Sequence, residues 1–333
     1  MNNEKGLSII ELMIAITLGL ILTIAVVQLF LGSRATFTSH QSISRIQETG
    51  RLAVEFLSKD IRMISSTGFR GQLKTIVNKI DTPTVYQNYE AGMSIVSTAD
   101  GIDQLAGTEI LIIRGVLFND PSIVANSITD TTITVGLITT QAGACDSADG
   151  FNGMCPGDDL IISDYQKAIA FSSTNIEKNG TQVTITKAAG WGGDTIQYNE
   201  HFTVGAHVSK ITSVAYFIAN GASGRPSLFQ RVDGQNLELL EGVTDFKIAV
   251  AQANDLDNFE YLSSAGEVAI NWDDVADENP LVAVHIEALV AGPDDQLLDE
   301  SQTYVLGGED VTATDRRMYQ VFSTTINLRN QAR

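Results

Sequence analysis

From Leu12 to Leu31 the chain reads LMIAITLGLILTIAVVQLFL, with no charge and no proline. About 20 residues is the length at which an α-helix crosses the hydrocarbon core of a bilayer. A secretory signal peptide would have a shorter apolar core closed by a site of small residues, and no convincing site of that type follows. Gly19, Thr17 and Thr23 are small enough to let neighbouring helices come close. Beyond this run the pattern turns amphipathic. Ile43, Ile46, Gly50, Ala53, Leu57, Ile61 and Ile64 recur at steps of three and four, with Arg45, Glu48, Arg51, Glu55, Lys59 and Arg62 between them. The first proline is Pro83, so nothing breaks the backbone earlier. The spacing predicts one helix from about Ser8 to Ser66, on the order of 85–90 Å long. No single globular core buries such a rod, so its first half needs lipid or other helices around it.

After ISSTGFRGQ the pattern changes to short β-rich segments. GTEILIIRGV, NSITDTTITVGLI, TQVTITKAA and ITSVAYFIANG are rich in Ile, Val and Thr, with turn residues between them. GVTDFKIAVAQ, PLVAVHIEALVAG and MYQVFSTTINLRN follow, the last two partly alternating as half-buried strands do. The expected fold class is α+β, an antiparallel sheet domain packed on the second half of the helix. A β-rich lobe is expected as an insertion between about Gly71 and Ala206.

Composition narrows the function. The 333 residues are 44% hydrophobic and 18% charged, which is globular, and the net charge is −19. That surface repels nucleic acid and anionic lipid headgroups, so no direct binding to nucleic acid is expected. The chain has two cysteines, Cys145 and Cys155, in one Gly/Asp-rich loop. In an oxidising compartment they would most simply close a small disulfide loop; two free thiols is the other reading.

Catalytic signatures are absent: no GxSxG elbow, Walker loop or HExxH occurs, and neither an enzyme nor a cofactor is expected. His201 and His207 would stand about 20 Å apart on an extended strand, too far to share a metal. Asp146 and Asp149, and again Asp255 and Asp257, cluster as weak calcium candidates. Neither run has full EF-hand spacing, and acidic loops are usually only solvated. INWDDVADENP, around Trp272, reads as an exposed loop with an aromatic anchor. Arg316, Arg317 and Arg329 concentrate positive charge beside the last strand. They would pair with carboxylates or discourage edge-to-edge strand pairing.

Glu11 stands at the start of the apolar run. A carboxylate there either snorkels to the interface or waits for a cation at the same depth. Cleavage after Gly6 would supply one, the new α-amino group of Leu7. KGLSIIELMIAITLGLIL resembles the class III leader of type IV pilins and type II secretion pseudopilins. The resemblance implies that a prepilin peptidase cuts after Gly6 and N-methylates Leu7, and that Glu11 is the carboxylate used in subunit docking. Leu7 departs from the commoner phenylalanine. SVAYFIANGASGRPSLFQRVDGQNLELLEGVTDFKIAV, PLVAVHIEALV and RRMYQVFSTTINLRN resemble PilW-type minor pilins.

The resemblance implies a pilin-like division: a leader over 1–6, a transmembrane and polymerisation helix over 7–31, its amphipathic continuation over 32–66 and a periplasmic β-rich domain over 67–333, with the lobe at 71–206. Its implied partners are other minor pilins, the major pilin, the prepilin peptidase, an inner-membrane assembly platform and a tip adhesin. The implied location is the inner membrane, as a single-pass protein, and then the pilus, at or near its tip. Adhesion, twitching motility or DNA uptake would follow. The nearest alternative is a J-like minor pseudopilin of type II secretion; a membrane-anchored periplasmic binding module or enzyme is the remote one.

Overall fold

A computed structural model describes residues 9–62, 75–116, 123–129, 131–136, 153–164, 167–179, 182–187, 202, 205–252, 255–261, 281–295 and 297–328. Helix α1 runs unbroken over Ile9–Ile61, 53 residues, with Glu11 in its first turn and Lys59 in its last, both favourable to the helix dipole. Ile61 is its last helical residue; Ile64 lies outside the described residues. The apolar stripe is buried at Ile46, Gly50, Ala53, Leu57 and Ile61. At its start the buried residue is Ser42 and Ile43 is only half-buried, because the Ser42 hydroxyl donates to Asp294 Oδ2 at 3.0 Å. Arg45, Glu48, Arg51, Glu55, Lys59 and Arg62 are all exposed, as the pattern predicts.

Strands follow in chain order. After β1 (Thr75–Asn78), β2 (Met93–Val96) and β3 (Ile110–Gly115), the chain makes β4 (Ile123–Ile128), β5 (Thr132–Gly136), β6 (Asp159–Ser163), β7 (Lys167–Asn179), β8 (Gln182–Lys187) and β9 (His207–Lys210). It continues through β10 (Thr212–Asn220), β11 (Pro226–Val232), β12 (Gln235–Glu241), β13 (Val243–Gln252) and β14 (Asp255–Tyr261). It closes with β15 (Leu281–Ala291), β16 (Thr303–Leu306), β17 (Glu309–Thr312) and β18 (Tyr319–Asn327). Each strand foreseen from Ile/Val/Thr-rich segments is present, and NSITDTTITVGLI splits into the hairpin β4–β5.

Two antiparallel sheets form the body under the helix: β12-β11-β10-β3-β2 with five strands, and β14-β13-β15-β18 with four. Strand β10 is apolar on both sides because both of its faces are covered. Val214, Tyr216 and Ile218 join the core beneath the helix, while Ala215, Phe217 and Ala219 join a second cluster on the opposite face. On the four-stranded sheet Phe246, Ile248, Val284, Ile286, Ala288 and Ile326 face the same core as Ile46, Ala53, Leu57 and Ile61. Burying each Val, Leu, Ile or Phe side chain among these contributes about 1.5–3 kcal/mol.

The remaining large sheet closes on itself. Strands pair in the order β7-β6-β9-β4-β5-β8, and β8 pairs again with β7. Every pairing in this ring is antiparallel, and the ring closes into a barrel in which the edge left by the first half of β7 is taken by β1. The corner is made by β7. Its residues up to Ser172 pair with β6, and from Ser173 onward they pair with β8 across a register shift between Ser173 and Asn175. Ile133, Leu160, Phe171, Val183, Ile185 and Val208 fill the interior.

The barrel is spliced between two hydrogen-bonded neighbours. Strands β3 and β10 pair from Gly115 with Thr212, where a hairpin turn would otherwise stand. Ile161, Ala168 and Ala170 on its outer wall pack into the body core, and β1 adds to β7 as a parallel strand. Asp159 pins the junction, accepting from Gln87 Nε2 at 2.9 Å, Tyr89 Oη at 2.9 Å and Ser172 Oγ at 2.6 Å.

Candidate functional site: the exposed apolar helix

Among the described residues, no part of the body covers the apolar side chains of the first half of α1. The large apolar side chains between Ile9 and Leu31 are 48% (Val27) to 78% (Ile9) exposed, and Phe37 is 70% exposed. Among the described residues α1 alone is long and apolar enough to cross a membrane. Its polar atoms are disposed for an apolar surround. Thr17 Oγ1 donates to Ile14 O at 2.9 Å, Thr23 Oγ1 to Gly19 O at 2.8 Å and Thr36 Oγ1 to Gly32 O at 3.0 Å. Each hydroxyl is thereby satisfied within the helix, as a side chain in hydrocarbon must be. A Cβ at Gly19 would meet nothing, so this face is open to a close-packed neighbour.

Glu11 is on this segment, exposed, in the first helical turn. Gly6 and Leu7 lie outside the described residues, as do Cys145, Asp146, Asp149, His201, Trp272 and Arg329. Cys155 is not a free thiol, and its N–H donates to Asp158 Oδ2 at 2.7 Å. Asp255 and Asp257 fall on β14. No group of three metal-ligating side chains comes together among the described residues. Arg317 pairs with Asp295 and, at 3.2 Å, with Asp315, whereas Arg316 is exposed.

The second half of α1 is tied to the body by residues the sequence did not single out. Tyr216 Oη donates to Asp60 Oδ2 at 2.6 Å, and Gln230 Nε2 donates to the same oxygen at 3.1 Å. Burial, and then the Asp60 carboxylate, push the Tyr216 phenol well above its ordinary value, so it stays a donor. At Gly50 the ring of Phe322 occupies the space a Cβ would take. Arg114, 2% exposed, donates to Tyr86 O at 3.1 Å, Ala91 O at 2.9 Å, Ser94 Oγ at 2.9 Å and Val85 O, and so fixes the loop before β2. Burial draws its guanidinium down to about 10, still charged at neutral pH. The one signal for it was a lone cation ending an apolar strand, ILIIRG.

The helix therefore has one end built for burial by its own chain and one end built for burial by something else. Residues 1–27 match the family model described as Prokaryotic N-terminal methylation motif, and residues 215–330 match the one described as Type IV Pilus-assembly protein W. Over these two stretches the chain is similar to PilW-type pilus-assembly proteins and to proteins that carry a prepilin leader. The second match begins inside β10, just after the chain leaves the barrel, and covers the strands that carry Tyr216, Gln230 and Phe322. The barrel lies outside both matches. No curated protein and no solved structure matches the chain. The motif and the apolar helix fit a membrane-anchored, pilus-associated protein.

Proposed function

We propose that this chain is a minor pilin that primes or supports assembly of a type IV pilus, acting by polymerisation and not by catalysis. The observation that carries the reading is the uncovered apolar segment Ile9–Leu31 directly behind a methylation-motif leader. In the membrane, lipid covers that segment; in the filament, the apolar helices of other subunits do. A prepilin peptidase cuts after Gly6 and methylates Leu7. Glu11 then meets the terminal amine of a neighbouring subunit, and a charge buried there without its partner would cost about 3–5 kcal/mol. The match over residues 215–330 favours a pilus over a type II secretion complex.

The head would sit in the periplasm before assembly, delivered through the inner-membrane platform to other minor pilins, the major pilin and a tip adhesin, at or near the tip. In that oxidising compartment Cys145 and Cys155 would form one disulfide. Mass spectrometry of the mature protein tests the reading. N-methylated Leu7 as the first residue is expected; an intact Met1, or a cut beyond Leu31, overturns it. Deletion should remove pili and leave protein secretion unchanged.

A further inference from the structure

Where the barrel meets the body a cleft of about 380 Å³ opens, at the lower end of the range for small-ligand sites, roughly 300–1,000 Å³. Its lining includes three carboxylates, Asp158, Asp159 and Asp233, and two cations, Lys210 and Arg231. The cations are already engaged. Lys210 Nζ stands 3.2 Å from Asp158 Oδ1. Arg231 lies 5.6 Å over the Tyr86 ring and donates to Gly234 O at 2.7 Å and Asn236 Oδ1 at 2.8 Å. Asp159 is held by Gln87, Tyr89 and Ser172.

Asp233 is placed differently. It is exposed on the cleft rim, in the two-residue turn between β11 and β12, with φ of 48° followed by Gly234 at 79°. This left-handed pair is the turn that matches strand twist in a tight hairpin, so the carboxylate is held on a rigid mount. An anionic ligand would have to compete with Asp158 for Lys210, and a cationic one with Lys210 for Asp158. A neutral ligand with many hydroxyls would not, because each bound carboxylate keeps lone pairs to accept from it. The Thr84, Thr212 and Ser213 side chains on the same walls add hydroxyls that both donate and accept.

We propose that this cleft binds a neutral mono- or disaccharide, with Asp233 accepting hydrogen bonds from its hydroxyls. The site joins elements from both the barrel and the body, so it exists only because the barrel is inserted between β3 and β10. It stands independently of the pilus reading.

The test is isothermal titration of the full chain in a zwitterionic detergent, which avoids sugar headgroups, against glucose, galactose, N-acetylglucosamine, lactose and maltose. Saturable binding of at least one sugar is expected. Asp233→Gly, which the left-handed turn accepts without strain, should weaken it about tenfold or more, the loss expected for a hydrogen bond to a charged group. Thr184→Val, on β8 outside the cleft, should leave it unchanged. Three outcomes overturn the proposal: no sugar of the panel binds, Asp233→Gly binds as tightly as the parent, or lysine methyl ester binds while the sugars do not.

Discussion

Between Ile9 and Leu31 the large apolar side chains of α1 stand exposed; between Ser42 and Ile61 it is clamped by Asp294, Phe322, Tyr216 and Gln230. Both stretches are regular helix, and the same backbone hydrogen bonds run through both. The difference is the solvent each was written for. An isolated helix gains little from propensity alone, so most of its stability must come from what packs on its apolar face. For the second half that partner is the body, supplied once in the fold. For the first half it has to be found elsewhere, and on the function proposed above that means lipid and then other subunits.

The largest effect is expected from altering the first half of α1 alone. Glu11→Ala should reduce surface piliation about tenfold or more, the consequence of leaving a terminal amine unpaired in an apolar core. The unfolding midpoint of the head should not move, because Glu11 is exposed and remote from the body. Counting pili by electron microscopy beside a thermal melt separates the two readouts. Normal piliation in this variant would remove Glu11 from the mechanism.

The second half is tested at its tightest point. Gly50→Ala would drive a methyl into Phe322, and overpacking of this kind costs about 1–3 kcal/mol, partly offset by the better helix propensity of alanine. Gly19→Ala, where a Cβ meets nothing, should leave the chemical-denaturation midpoint of the head unchanged. Equal shifts in the two variants would show that the two halves are not energetically separate.

Tyr216→Phe probes the other tie. Losing a hydrogen bond to a carboxylate costs about 1.5 kcal/mol here, at the low end for such bonds, because Gln230 still donates to Asp60. Denaturation of the variant, alone and combined with Gln230→Leu, measures the coupling between the two donors.

How far these features could be read in advance depends on range along the chain. The stripe Ile46, Gly50, Ala53, Leu57 and Ile61 follows from periods of three and four within one element. The exposure of the charged face follows with it. Ser42 with Asp294 does not, since the partners are 252 residues apart and no local pattern marks a serine as buried. The barrel is another case. Each of its strands carries ordinary β signals, but closure depends on β7 leaving one partner for another at Ser173, which is a property of pairing and not of composition. Glu11 stood out in the sequence because a charge in an apolar run breaks its own context. Asp233 and Arg231 break nothing around them, so only their position in the folded chain draws them to one cleft.

The smallest effect concerns charge in the body beneath the helix. Asp245 on β13 has its carboxyl pushed up by burial, with Lys247, 3.7 Å away, and the Phe246 N–H at 2.8 Å opposing the shift and Glu109 adding to it. A raised carboxyl in the folded state means that the unfolded chain gives up its proton first. The stability tied to Asp245 is therefore fullest below the unfolded value and falls as pH rises through the folded one. Asp245→Asn removes that loss. Its Oδ1 can still accept from Phe246, and Lys247 keeps Glu109 at 3.3 Å. The variant should melt slightly higher than the parent at pH 7, by less than Tyr216→Phe lowers it, and the advantage should fade as pH falls toward 4. A gain that persists unchanged at acid pH would mean that burial of the charge is not its source. A loss at pH 7 would mean that the pair with Lys247 outweighs burial, and that the body depends on a specific ion pair.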